Sequence, residues 1–166
     1  MAVPPWVQPI ETKPAPMPLL RVQAFVNTWE SDTGVDQLAT WTGLGPVDLA
    51  EARPVREAIR ALLVANGGGP APTAADLAPL RQLAAGHRLD LAVAADGAVR
   101  VAASGLADLL VVIRDAQADG SWARLKACHN DDCRWAFFDR SHSQRGRWCD
   151  MAVCGNRIKN RNYRRR

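Results

Sequence analysis

The sequence predicts a mainly α-helical body carrying one β-hairpin, closed by a small C-terminal module built on cysteines. Three observations carry this expectation. Apolar residues recur with a helical period along most of the chain ahead of the cysteines. One stretch, on either side of Asp96-Gly97, changes to the period-two alternation of strands. All four cysteines lie between positions 128 and 154.

The chain opens with Pro4, Pro5, Pro9, Pro14, Pro16 and Pro18, so residues 1–18 are expected to form an extended, flexible N-terminus. Val22, Phe25, Val26 and Trp29 share one helical face and predict a helix over 19–30. Residues 32–34 read as a turn. A short helix over 35–42 follows, carrying Leu38 and Trp41 and stopped by Gly43 and Gly45. Asp48 is a cap for the next helix, with Pro54 near its start or kinking it. Val55, Ile59, Leu62 and Leu63 form its apolar stripe, with Arg53, Arg56, Glu57 and Arg60 mostly on other faces, and Gly67-Gly68-Gly69-Pro70 ends it. Thr73 caps a helix through Leu77, Leu80 and Leu83, in which Pro79 is an awkward member. Leu89, Leu91 and Val93, then Val99 and Val101, form the hairpin. Leu106, Leu109, Leu110 and Ile113 mark a last body helix from Gly105 to about Ala118. Residues 19–123 are thus expected as a helical domain and 124–166 as a separate module with its own apolar core.

The charge is divided between the two. Residues 1–123 hold 9 Lys/Arg against 13 Asp/Glu, and residues 124–166 hold 12 against 4, so an acidic body is joined to a basic end. That asymmetry points to a polyanionic partner. No apolar run is long enough to span a bilayer, and no secretory leader is visible, so a cytoplasmic protein without membrane association is expected. The body shows no constellation of catalytic groups, and its Gly-rich run lacks the Gly-Lys-Ser/Thr ending of a phosphate loop, so no enzyme activity is expected.

Cys128-x4-Cys133 and Cys149-x4-Cys154 are two close pairs in a segment too short to bury an ordinary core. Without a leader, paired cysteines favour a metal over disulfides, and four thiolates suit one structural zinc ion. His129 is the alternative ligand, disfavoured because it adjoins Cys128. Residues 135–139 read as a strand paired with Ala127-Cys128, residues 140–147 as a loop, and Asp150 as the cap of a final helix. Knuckle, hairpin and helix make a treble-clef-like zinc finger. Beyond Cys154, Arg157, Arg161, Arg164 and Arg165 share one helical face, which Lys159, Tyr163 and Arg166 widen. Arg134, Arg140, Arg145 and Arg147 add a second basic edge from the hairpin and loop. These are the candidate nucleic-acid contacts.

The pattern Cys128-x4-Cys133-x-Trp135-x-Phe137-Phe138-Asp139, continued by Arg147-Trp148-Cys149-x-Met151-x2-Cys154-Gly155-Asn156-Arg157-x-Lys159, resembles the CGNR zinc finger, over about the last 40 residues. Phe25-Val26-Asn27-Thr28 and the stretch from Val55 to Leu63 are similar to the helical domain that usually precedes that finger, a stress-induced transcription regulator domain of bacteria. The resemblance implies a bacterial, DNA-binding regulator of transcription whose body senses a signal or dimerises. Ser141-His142-Ser143 and Asp150 depart from the pattern, and the first of these removes a loop arginine.

Read from the residues, Gly155 permits close approach of the final helix, Asn156 is a hydrogen-bond donor to a zinc-bound sulfur or a nearby carbonyl, and Arg157 faces either a phosphate or the metal cluster. Asn27, Trp41 and Arg56 form a candidate pocket for an unidentified small-molecule effector. DNA is the leading partner and RNA the alternative, with Trp135 or Trp148 stacking on bases. A homodimer, a protein-interaction adaptor, and a nuclease using Asp139, His142 and Asn156 are the remaining readings.

Overall fold

A computed structural model describes residues 4–7 and 13–163. Four helices form the body: α1 (Leu19–Val26), α2 (Leu49–Asn66), α3 (Ala78–Gly86) and α4 (Leu106–Ala118). α1 packs on α2 and α4, and α3 bridges α2 and α4. Three antiparallel two-stranded ribbons accompany them: β1 (Trp29–Glu30) with β2 (Val35–Asp36), β3 (Asp90–Val93) with β4 (Val99–Ala102), and β5 (Leu125–Ala127) with β6 (Ala136–Phe138). A π-type turn, Met151–Gly155, leads into α5 (Asn156–Tyr163). Among the described residues no helix is long and apolar enough to cross a membrane.

The local chemistry explains the helix ends. The Asp48 carboxylate accepts from Ala50 N at 2.9 Å and opens α2, while Gly67 N returns to Leu63 O and Val64 O at 3.1 Å and closes it. Ala52, Val55, Ile59 and Leu63 put its stripe in the core, all at 3% exposure or less. α3 begins later than Thr73. That residue and Asp76 bond each other reciprocally in a preceding turn, and Pro79 falls in the helix's first turn, where a missing N–H costs nothing.

Two expectations fail between residues 27 and 42. The first helix stops at Val26, and the predicted helix over 35–42 is instead β2 followed by turns. The body therefore carries two ribbons, where the sequence reading placed one. Gly34, at φ +73°, makes the β1–β2 turn. Asp36 then binds its own chain, accepting from Leu38 N at 3.1 Å, and takes Arg56 Nη1 at 2.8 Å. Those bonds fix an extended strand end and compete with helix.

Arg56 and Arg60 also depart from the reading. They lie at the core boundary, buried at 4% and 6% exposure. Arg56 is satisfied by Asp36, Glu57 and Thr28 Oγ1. Arg60 donates to Glu57, to Val26 O at 2.8 Å and to Arg134 O at 3.0 Å.

The apolar cores assigned separately to body and module meet. Leu125, Ala127, Ala136 and Phe138 lie in one cluster with Phe25, Val26, Ile59 and Leu63. Polar bonds reinforce that seam. The Asn27 amide accepts from Ala136 N at 2.7 Å and donates to Ala136 O at 2.9 Å, so it extends the β5–β6 ladder like a third strand. Residues 13–16 also dock there: Phe138 N donates to Lys13 O at 2.9 Å, Ala15 N to the Gln23 side chain at 2.7 Å, and Ala15 is buried.

The Asp36–Arg56 pair makes a pH prediction. Hydrogen bonding from Arg56, chiefly, lowers the Asp36 carboxyl from 3.8 to about 2, against the opposing effect of burial. The native state therefore favours the carboxylate. The resulting stabilisation, about 2 kcal/mol, is complete above pH 4 and fades as pH falls towards 2. Asp36→Asn should lose about that much stability at pH 7. Its urea midpoint should converge with that of the parent between pH 4 and 2. Taking the difference between the two proteins cancels any loss of metal in acid.

Candidate metal centre and basic edge

Each cysteine is placed by backbone bonds. Cys128 N donates to Trp135 O at 2.9 Å, which carries the β5–β6 pairing one step past the strands. The chain then turns over Asn130, whose carbonyl accepts from Cys133 N at 2.9 Å and Arg134 N at 3.0 Å, with Arg134 in the left-handed region at φ +50°. His129 N donates to Arg147 O at 2.8 Å and draws in the segment that bears Cys149. Asp150 caps the last turn, accepting from Val153 N at 2.9 Å on its side chain and from Cys154 N at 3.0 Å on its carbonyl.

The four sulfurs lie within 4.8 Å of one another, and the Cys133–Cys149 and Cys149–Cys154 separations are both 3.7 Å. A tetrahedron with metal–sulfur bonds of about 2.3 Å has edges of roughly 3.8 Å, so these residues fit one zinc ion. All four positions would be filled by protein, leaving none open to a substrate. An ion held in this way would supply folding free energy. His129 is turned elsewhere: its Nε2 meets the Arg147 guanidinium at 2.7 Å and its ring lies edge-on to Trp148.

Electrostatics favours a cation. Hydrogen bonds from the Cys133 and Cys149 thiols, helped by the N–H groups of Cys149 and Asn130, hold Cys128 down to about 2. The same partnership pushes Cys133 up to about 12, and it raises Cys149 further, burial adding to both. One thiolate therefore suppresses its neighbours. A divalent ion lifts that limit and displaces their protons, so acid opposes binding. The full zinc–thiolate centre carries −2. Arg60, reaching across from α2, is a buried cation that donates to the carbonyl of Arg134, the residue after Cys133.

The shell is apolar on one side, with Trp135, Phe137 and Trp148 packed against the cysteines. On the other, the buried Asn130 amide nitrogen points at Cys154 Sγ at 3.9 Å. The sequence reading gave the sulfur-supporting role to Asn156, which is exposed at the start of α5. Gly155 makes the expected close approach: a Cβ there would lie 2.4 Å from Met151 Sδ and 3.2 Å from Trp148.

The loop after β6 is held by a buried ion pair. Lys126 Nζ lies 2.9 Å from Asp139 Oδ2, and Asp139 also accepts from Ser141 N, Ser141 Oγ and Gly146 N. Burial opposes the Asp139 charge, but these bonds outweigh it and keep the carboxyl below its ordinary range. Gly146 has no space for a side chain, since its Cβ would meet that carboxylate at 2.7 Å.

The loop presents Arg145 and Arg147 to solvent, and Arg157 and Arg161 are exposed one turn apart on α5. Arg147 stacks at 5.9 Å over Trp148, and Arg161 reaches Asp132 at 3.3 Å. Among the described residues Arg145 and Arg157 make no ion pair. Lys159 lies within α5, whereas Arg164, Arg165 and Arg166 fall outside the described residues.

Asn27, Trp41 and Arg56 each engage different partners. Asn27 is engaged with Ala136, and Arg56 with Asp36, Glu57 and Thr28. Trp41 packs on Phe25 and Trp6, donates to Trp6 O at 2.9 Å, and lines a surface cavity of about 390 Å³. Sequence reasoning missed Asn130, Arg60 and the Lys126–Asp139 pair. The available signal was a Lys within an apolar strand and arginines one step from a buried stripe.

Arg60→Met tests the reach of the body into the metal centre. Removing the cation beside Cys133 and the bond to Arg134 O should weaken zinc retention by about 10–100-fold in chelator competition. Asp36→Asn is the control, because it destabilises the same body without touching the centre. Equal zinc affinities in the two variants would reduce Arg60 to a packing residue.

No curated protein matches the chain. The family model of the CGNR zinc finger matches residues 124–166, the segment that holds all four cysteines and the basic edge, and this part of the chain is similar to that finger.

Proposed function

We propose that this chain is a DNA-binding regulator of transcription in which a zinc-held, treble-clef-like finger presents arginines to the phosphate backbone. The observation that carries the reading is the segregation of charge. The finger holds 12 Lys/Arg against 4 Asp/Glu, and its exposed Arg145, Arg147, Arg157 and Arg161 come from the two segments that flank Cys149 and Cys154. Zinc supplies no step in recognition; it fixes the spacing between loop and helix. The helical body then carries the finger and offers surfaces for dimerisation or for an effector.

RNA is the second reading, favoured by Trp148, which is half-buried beneath Arg147 and within reach of a stacked base. Trp135 is buried and serves the metal shell. The nuclease reading loses its carboxylate, because Asp139 is spent on Lys126 and the loop.

Binding through phosphates makes log affinity fall linearly with log salt, by about 0.9 for each phosphate neutralised on duplex DNA. Arg145→Ala and Arg157→Ala should each lower that slope by about one and weaken unrelated sequences alike. Fluorescence anisotropy across a salt series, with duplex DNA and single-stranded RNA in parallel, measures both. Unchanged slopes on both nucleic acids would move the function to protein contacts.

A further inference from the structure

We propose that the outward apolar face of the β3–β4 hairpin is a dimerisation surface, covered by the same face of a second copy of this chain. The register places Leu91 opposite Val101 and Val93 opposite Val99, with Leu89 in line just ahead of β3, so five apolar side chains share one face. Exposure reaches 52% at Leu89, 76% at Leu91, 73% at Val93 and 67% at Val99. The opposite face is exposed as well, at Asp90, Ala92 and Arg100. The hairpin thus stands off the body and packs chiefly on itself. A two-stranded ribbon is marginal in water, and an apolar face of this kind marks a contact surface.

Charge and area select the occupant. Residues 88–102 carry Arg88, Asp90, Asp96 and Arg100, two of each sign, so two hairpins meet without repulsion and no oppositely charged partner is favoured. Each face offers roughly 400 Å² of apolar surface, as large as the main patch of an ordinary monomer. Two such faces remove roughly 800 Å². In a homodimer interface about 65% apolar, this corresponds to a contact of roughly 1,200 Å², at the lower bound of specific complexes. A two-fold axis buries identical patches on each other, as one self-complementary face requires.

The test is sedimentation equilibrium on the full zinc-loaded chain, the chain carrying Leu91→Glu and Val93→Glu together, and a Val35→Glu control. Val35 is 45% exposed on the other body ribbon, so all three should fold alike. The parent and the control should show twice the 18.1 kDa chain mass. The double variant should dissociate at least about 100-fold more readily, with zinc content and helical signal unchanged. A monomeric parent would assign the face to a different partner and overturn the proposal. So would a double variant that associates like the parent, or a control that dissociates like the double variant.

Discussion

Four thiols within 4.8 Å of one another, three of them buried, cannot all ionise unless a divalent cation stands among them. That constraint organises the C-terminal third of the chain. It brings the knuckle at Asn130, the loop before Cys149 and the turn at Cys154 to one point, and it draws an apolar wall of Trp135, Phe137 and Trp148 around them. A segment this small buries little core of its own. The basic edge depends on the same point, since Arg145 and Arg147 precede Cys149 and Arg157 follows Cys154.

The centre is supported from outside the finger. Arg60 on α2 brings a buried cation and a bond to Arg134 O, and Asn27 closes the edge of β6 as a strand would. A family boundary at residue 124 therefore falls inside one packed unit, where Leu125 and Phe138 share the core of Phe25 and Ile59. The seam also carries buried polar residues, Asn27 and Arg60, each bonded to a backbone group of the other part. Such bonds add little net energy when made but are costly to break, so they fix the relative placement of the two parts.

Much of this was legible before any coordinates. The cysteine spacing named the metal ligands, Asp48 and Asp150 announced their caps, and Asp96-Gly97 marked its hairpin. What stayed hidden depends on long-range partners. Asn27 and Thr28 read as a helix end or a buried hydrogen-bonding pair, but nothing local shows that Ala136 and Arg56 are their partners. Arg60 read only as a charge off the apolar stripe because its carbonyl partners lie 34 and 74 positions away. Asn156 looked like the sulfur's donor because it stands beside Cys154, whereas Asn130 reaches that sulfur only once the knuckle has folded.

The central claim is that metal centre and helical body form one cooperative unit. Amide hydrogen exchange on the full chain, with zinc and after its removal by chelator, tests this most directly. Zinc removal should speed exchange at Cys128, Cys133 and Arg134, and equally at β5, β6 and the end of α1 around Gln23 to Asn27. Faster exchange confined to residues 128–163, with β5 and α1 unchanged, would contradict the claim and restore two independent modules.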